Sequence, residues 1–434
     1  MSLSPYYRWL EHYEQADHGL LISCLPFDFR DQVVAQTAAA KIGIAVSGGG
    51  DSMALLHLIA RVAPHWDVTV ETATVNHHLR AEAADEADFV ASVAAGLGLA
   101  HQTLDWNSHP EAGNLMQAAG RGRLDLLAAW AKARGIAHVF LAHTADDQAE
   151  TFLIGLSRAA GLDGLTGMRR RFDHNNVSFW RPLLDCSRTE LRDYLRRHAC
   201  LWREDPSNDD PRYTRVRIRK ALPGLAAVGI TPDALNSTIR HLSEMQDLAR
   251  QTAAAAFRGF GQEEAGALLF GREAFTDCHT EVQRRLISAA IRWISGNRHA
   301  PRANSVAQSL SEIRRRRGAT LGGCLIRVTP RDIRLTREPR AVAGAQAYRP
   351  GAIWDHRWQI TGPESPGATL APLGTAGLAQ LYDWRETGIR RDAALVSPAL
   401  WQGDRLISAP IFPHFAGEWR ATIYPSFGSF ILSH

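Results

Sequence analysis

The sequence predicts an α/β protein: a doubly wound, mainly parallel sheet, followed by a helical domain and a small β-rich C-terminal domain. Three observations predict it. Strand-like and helix-like segments alternate between residues 41 and 181, the pattern of parallel strands joined by crossover helices. A glycine-rich turn over 47–50 separates the first strand from the first helix. Beyond residue 340, short alternating segments are cut by Gly and Pro, as in antiparallel sheets.

Taken in order, residues 1–40 carry no periodic pattern and read as an N-terminal extension. Residues 42–46 are apolar and partly β-branched, the mark of a buried strand, and a helix follows from Ser52. Residues 68–76 (VTVETATVN) predict a strand, and the Ala-rich EAADEADFVASVAAGLG a helix. A helix over 115–134, a strand over 138–142 (HVFLA) and a helix over 145–158 complete the alternation. Ligands of such sheets bind beyond the C-terminal strand ends, which brings 47–52, 76–80 and 143–150 to one crevice. The acidic, turn-rich EDPSNDDPRY (204–213) leads into the basic RYTRVRIRK, and a boundary falls near 223–233. These divisions predict a catalytic domain over 41–225, a mainly helical one over 226–340 and a C-terminal one over 341–434. Helices fill 234–317 in this reading, and 319–338 form a β-hairpin.

A chain of 434 residues is too long for one ordinary core, so several domains are expected. With 45% hydrophobic and 22% charged residues the composition is that of a globular protein. The formal charge of +4 permits nucleic-acid binding without establishing it. Five scattered cysteines with no C-x-x-C pair leave zinc ribbons and thioredoxin-like sites unsupported and suit thiols in a reducing compartment. The apolar HGLLISCLPF is preceded by Glu11, Glu14 and Asp17, unlike a secretory leader. No stretch approaches the roughly 18–20 apolar residues of a membrane span. A cytoplasmic protein is expected.

Four stretches carry chemistry. In SGGGDS, the strand–turn–helix context seats phosphate on backbone N–H groups, with hydroxyls from Ser47 and Ser52; the loop has an acid, Asp51, and lacks the lysine of a Walker loop. In LAHTADDQAET, Thr144 and Asp147 are spaced as a helix cap. A cap alone does not account for Asp146, Asp147 and Glu150 together. Asp147 and Glu150 share a helix face, and such carboxylates suit Mg²⁺ or a substrate ammonium group. In TVNHHLR, His77 and Arg80 follow a strand end. In NLMQAAGRGRL, Arg121 and Arg123 are ordinary surface charges or, near a triphosphate, stabilisers of developing negative charge.

SGGGDS resembles the S-G-G-x-D-S signature of the PP-loop family, the N-type ATP pyrophosphatases: Ser47, Gly48, Gly49, Asp51 and Ser52 match, with Gly50 at the variable position. VNHHLR, AHTADDQAETFLIGLSRAAGLDGLTGM, RPLL (181–184) and EDPSNDDPRYTRVRIR are similar to landmarks of one branch, the tRNA(Ile)-lysidine synthetases. The likeness is close over 41–220 and looser in TLGG and PALWQGDRLISAP. The chain departs from the family pattern at several places. His78 replaces a glycine, Met116 a glutamate, Gly120 an arginine, Leu124 a tyrosine, Thr144 a histidine and Val216 an asparagine.

The resemblance implies ATP-dependent adenylation at C2 of the first anticodon cytidine of a CAU isoleucine tRNA. The ε-amine of free L-lysine then attacks to give lysidine, AMP and pyrophosphate. It implies ATP contacts from Ser47, Gly48, Gly49, Gly50, Asp51, Ser52 and His77. Asp51, Arg123, Asp147 and Glu150 would be catalytic, with Mg²⁺ on Asp51, Asp147 and Glu150. Arg80, Asp146, Arg215, Arg217 and Arg219 would contact substrate or tRNA. No membrane partner is implied, and a homodimer is compatible with the sequence. Two rival readings are another PP-loop tRNA-modifying enzyme, such as a thiolase, and a non-catalytic RNA-binding homologue.

Overall fold

The computed structural model describes residues 17, 20, 41–66, 68–78, 83–107, 115–204, 210–297 and 299–433. They fall into two compact units, one extending to Ser243 and the other beginning at Glu244. Arg80 lies outside the described residues.

The first unit is built on a six-stranded sheet of order β3-β2-β1-β4-β6-β5. Its strands are β1 (Lys41–Ala45), β2 (Thr69–Asn76), β3 (Ala100–Asp105), β4 (His138–Phe140), β5 (Arg171–His174) and β6 (Val177–Trp180). All neighbours are parallel except the β5–β6 hairpin. Helices α1 (Gly50–Trp66), α2 (Ala83–Gly96), α3 (Leu115–Arg134) and α4 (Ala145–Ser157) connect or follow the parallel strands. The strand β1 is central because it is apolar on both faces: Ile42 and Ile44 are fully buried in one core, while Ala45 belongs to the other. A Cβ on Gly43 would lie 2.7 Å from the Trp130 ring, so only glycine lets α3 close onto this strand.

Chain order reverses between β1, which pairs with β2 on one side, and β4 on the other. Ligands bind at such a switch point, and the segments that leave these two strands are SGGGDS and HTADDQAE. The expected strands over 42–46, 68–76 and 138–142 are present, each within two residues of its predicted limits. The edge strand β3 is not evident in the sequence because Leu104 alone among its six residues is buried, so no alternation marks it.

After β6 come α5 (Arg188–Arg197), α6 (Thr214–Ala226) and the long α7 (Pro232–Phe260). Within the second unit α7 is followed by a hairpin, β7 (Gly261–Glu264) and β8 (Ala267–Gly271), inside the stretch expected to be helical. Its two-residue turn puts Ala265 at φ 49° and Gly266 at φ 76°. Such a turn usually advertises itself as Asn-Gly or Asp-Gly, and Ala-Gly hides it. The hairpin extends a five-stranded sheet of order β7-β8-β11-β10-β9. The strands β9 (Ala319–Leu321), β10 (Cys324–Val328) and β11 (Asp332–Arg337) turn the expected single hairpin into a three-stranded meander. Helices α8 (Thr280–Ser295) and α9 (Ala303–Arg314) share its core. Two smaller antiparallel sheets, of four and three strands, occupy 346–423. Among the described residues no helix is long and apolar enough to cross a membrane.

Asp17 and Leu20 are buried in the first unit. The Asp17 carboxylate is fully enclosed, with Arg197 Nη2 at 2.9 Å, His198 Nε2 at 2.7 Å and Arg61 Nη1 at 3.5 Å. Burial acts to raise its pKa, but the hydrogen bonds from Arg197 and His198 outweigh burial and hold it below the ordinary carboxylate value. Removing one member of a buried ion cluster strands the other charges. Asp17→Ala is therefore expected to cost about 3–5 kcal/mol in urea unfolding. Because the folded pKa is depressed, the stabilisation is complete above the unfolded value of about 4 and is lost as pH falls through the lower folded value. The variant's deficit should shrink in that acid window.

Candidate active site

The phosphate-type loop is held by its own hydroxyls and by a distant chain segment. Ser52 Oγ donates to the Gly49 carbonyl at 2.9 Å and accepts from Ser47 N–H at 3.1 Å. Ser47 Oγ lies 3.2 Å from Ser52 Oγ. The Arg203 N–H donates to the Gly48 carbonyl at 2.9 Å, fixing the turn from outside. Gly48 sits at φ 85°, a left-handed conformation that glycine adopts without strain. Gly49 serves a different purpose: a Cβ there would have only Ser47 Oγ, at 3.8 Å, for company. The space over Gly49 is thus open, and α1 begins next to it at Gly50. The first N–H groups of a helix have no intrahelical acceptor, so the loop presents donors and a positive helix pole to an anion.

The acidic residues arrive from α4. Thr144 and Asp147 form the capping box that their spacing predicts: Thr144 N–H donates to Asp147 Oδ2 at 2.9 Å, and Asp147 N–H donates back to Thr144 Oγ1. Only one carboxylate oxygen is used this way. The other, Oδ1, accepts from Arg188 Nη2 at 2.5 Å. Arg188 Nη1 donates to Glu150 Oε1 at 2.7 Å, and its Nε to Asp51 Oδ2 at 3.3 Å. One guanidinium therefore joins the three carboxylates expected to act together. Among the described residues no group of three or more His, Cys, Asp or Glu is arranged to hold a metal ion.

Glu150 is wholly buried and also pairs with Arg215 Nε at 3.0 Å and Arg219 Nε at 2.9 Å. These arginines, four residues apart on α6, face the acids. Arg217 between them is exposed and donates to Thr214 Oγ1. Of the three α6 arginines expected to contact substrate or tRNA, two are thus engaged with Glu150. Asp146, expected to contact substrate, accepts from the backbone N–H of Arg188 at 2.8 Å. Burial raises the Asp51 pKa and the Asp147 charge adds to it, against the lowering by Arg188. Burial would raise Asp147 as well, but the Arg188 and Arg215 charges and the Thr144 N–H more than reverse this. The Arg188 guanidinium is held above its ordinary pKa: burial opposes, but the carboxylates prevail.

His143 closes the far side. Its Nδ1 accepts from Arg181 Nε at 3.2 Å, and burial, reinforced by the Arg181 charge, pushes its pKa down to about 3. It is neutral at physiological pH and a poor proton acceptor. Arg181, the first residue of RPLL, donates also to the Arg169 carbonyl at 2.6 Å and lies over the Phe172 ring. Arg123 is half-buried on α3, close enough for its charge to act on His143; burial lowers its own pKa. Arg121 is exposed, so Arg123 is the arginine that faces the cluster. His77 stands edge-on to Trp106, with ring centroids 5.4 Å apart, beyond the end of β2. His78 adopts φ 51°, which explains why a glycine suits this position. Its backbone N–H is held by Asn76 Oδ1 at 2.9 Å and its ring by Asp105 Oδ1 at 2.8 Å.

Arg188 is the residue the sequence motifs do not mark, although a signal for it exists. Ser187 and Glu190 form a capping box, which fixes Arg188 at the first position of a helix. A cation there opposes the helix dipole, a local conflict that calls for compensating acids elsewhere. The same signal recurs in α6, whose first two turns hold Arg215, Arg217 and Arg219 and no acid.

A switch-point loop that presents N–H donors, facing an acid–arginine cluster, is the arrangement of a nucleotide-binding enzyme of the PP-loop class, and the model of the PP-loop domain matches residues 29–225. Similar proteins narrow this. A tRNA(Ile)-lysidine synthase of Ruegeria pomeroyi is 42% identical over 397 residues, 91% of this chain and 94% of its own. One from Wolbachia pipientis wMel is 32% identical over 77% of this chain and 80% of its own. One from Rhodopseudomonas palustris is 38% identical over 67% and 89%. The chain belongs to the tRNA(Ile)-lysidine synthase family.

The loop geometry separates two glycines. Gly48→Ala is expected to cost about 1–2 kcal/mol of stability through its left-handed backbone. Gly49→Ala should leave the melting temperature unchanged and weaken ATP binding at least about tenfold in calorimetry, since its methyl enters the open cradle. At His78 the reverse holds. His78→Gly should match or exceed wild-type stability by up to about 1 kcal/mol, whereas His78→Val should lose about 1–2 kcal/mol.

Proposed function

We propose that the chain is a lysidine-forming ligase that converts the first anticodon cytidine of a CAU isoleucine tRNA. The observation that carries this reading is the convergence, at the sheet's switch point, of the SGGGDS loop with Asp51, Asp147 and Glu150 around Arg188. ATP lies with its phosphates over Gly49 and the first turn of α1. The cytidine C2 oxygen attacks the α-phosphorus, pyrophosphate leaves, and the activated C2 then accepts the ε-amine of lysine. The amine loses a proton, AMP departs, and lysidine results. Loop N–H groups and the helix pole stabilise the pyrophosphate as its charge grows. Arg123, half-buried in a poorly solvated position, adds a cation that water screens weakly.

The donor set fits a divalent ion in a particular way. Mg²⁺ is usually held by one or two carboxylates together with substrate phosphates. Asp51 and Asp147, which both turn an oxygen to the same cation, suit that arrangement; Glu150, already paired with three arginines, does not need to join it. Bound there, Mg²⁺ supplies Lewis-acid polarisation and neutralises phosphate charge. Glu150 instead orients Arg188, Arg215 and Arg219. The lysine ammonium is a second cation suited to the Asp147 side of the cluster, and exposed Arg217 is placed for an RNA phosphate. Work on tRNA puts the protein in the cytoplasm.

The test is direct. Incubated with ATP, Mg²⁺, labelled lysine and a CAU isoleucine tRNA transcript, the protein is expected to release AMP and incorporate lysine into the RNA. AMP without incorporation would favour a different PP-loop chemistry, and RNA binding without AMP a non-catalytic homologue. Asp51→Ala should lower incorporation about 10²-fold or more while keeping the circular dichroism spectrum of the wild type. Near-normal activity in that variant would remove Asp51 from the mechanism.

A further inference from the structure

The Arg188 guanidinium stands where a cationic ligand of the acids would stand. Its Nε and Nη2 bond to Asp51 Oδ2 and Asp147 Oδ1, the two oxygens that the functional reading above assigns to a divalent ion. Its backbone N–H is fixed by Asp146, so the helix start is anchored while the long side chain can pivot. The three acids Asp51, Asp147 and Glu150 are matched in charge by Arg188, Arg215 and Arg219. A divalent ion added to this set would meet a like charge at contact distance. Arg215 and Arg219 are paired with Glu150. Among the described residues Arg188 is the only ion-pair partner of Asp51.

We propose that Arg188 is an exchangeable internal counter-ion. It closes the Asp51–Asp147 pair and gives way when a divalent ion arrives with nucleotide, its charge then being taken up by the phosphates beside Asp51. Glu150 loses little in the exchange because two guanidinium groups remain on it. The consequence is coupling: the ion binds poorly by itself, since it must displace a cation from two carboxylates without bringing an anion to receive it. It binds well with ATP, which brings an anion for that cation. The device keeps the acids from collecting metal without substrate. This inference rests on the proposed ATP-dependent reading of the site.

The sign of one substitution tests it. Mn²⁺ binding is measured by electron paramagnetic resonance on the full chain, with and without ATP, for wild type, Arg188→Met and Arg188→Lys, each checked for folding by circular dichroism. Without ATP, Arg188→Met is expected to bind Mn²⁺ about tenfold more tightly than wild type. With ATP, that advantage should vanish or reverse. Arg188→Lys retains a charge that cannot span three carboxylates and should fall between the two. A purely structural arginine would, when removed, weaken Mn²⁺ binding in both conditions. If neither variant binds Mn²⁺ more tightly than wild type without ATP, the proposal fails; if Arg188→Met does not fold, Arg188→Lys decides by the same criterion. Lysine incorporation by the wild type scores the functional reading separately, so failure of one does not pass for failure of the other.

Discussion

A single guanidinium shared among Asp51, Asp147 and Glu150 is the contact on which the site's geometry depends. It joins the first turn of α1, the first two turns of α4 and the start of α5, which reach this point from different parts of the sheet. Asp147 and Glu150 are buried and Asp51 is half-buried, and isolated charges in such surroundings would be costly. The arginine makes their burial tolerable. In return, the carboxylates hold a cation at a helix N-terminus, where the dipole disfavours it. The acids and the arginine are individually ill-placed and jointly stable.

This mutual dependence explains what the sequence reveals and what it conceals. The central sheet is legible because β1, β2 and β4 are buried and their periodicity follows from burial. The loop is legible because glycine at Gly48 answers a local backbone demand. Arg188 is obscure because its meaning lies in residues 38 to 137 positions away, a separation no short motif spans. The same applies to Arg215 and Arg219, which look like a basic RNA-binding run and also pair with the buried Glu150. Where a side chain's role is set within its own turn, the sequence shows it. Where the role is set by a partner across the fold, charge pattern alone misleads.

The second unit offers the same contrast. Its β7–β8 hairpin is invisible because Ala265 occupies a left-handed turn position without a turn residue's signature. Deeper in that unit, Asp355 binds Arg337 at 2.9 Å within a buried cluster that includes Arg357, another case of charges that are meaningful only together. The four consecutive arginines Arg314–Arg317, by contrast, are exposed.

The capping box of α4 has a consequence for how the site meets its ligands. Asp147 gives one oxygen to the helix cap and the other to the site. A free aspartate samples several rotamers, and fixing one on binding carries an entropic penalty. Here the cap selects the rotamer when the helix forms. The carboxylate is therefore already aimed before any ligand arrives, and its conformational freedom is surrendered during folding instead of at each turnover. Helix stability and readiness for chemistry are one and the same variable at this residue. A substitution that loosens the Thr144 cap would blur the aim of the acid without touching it.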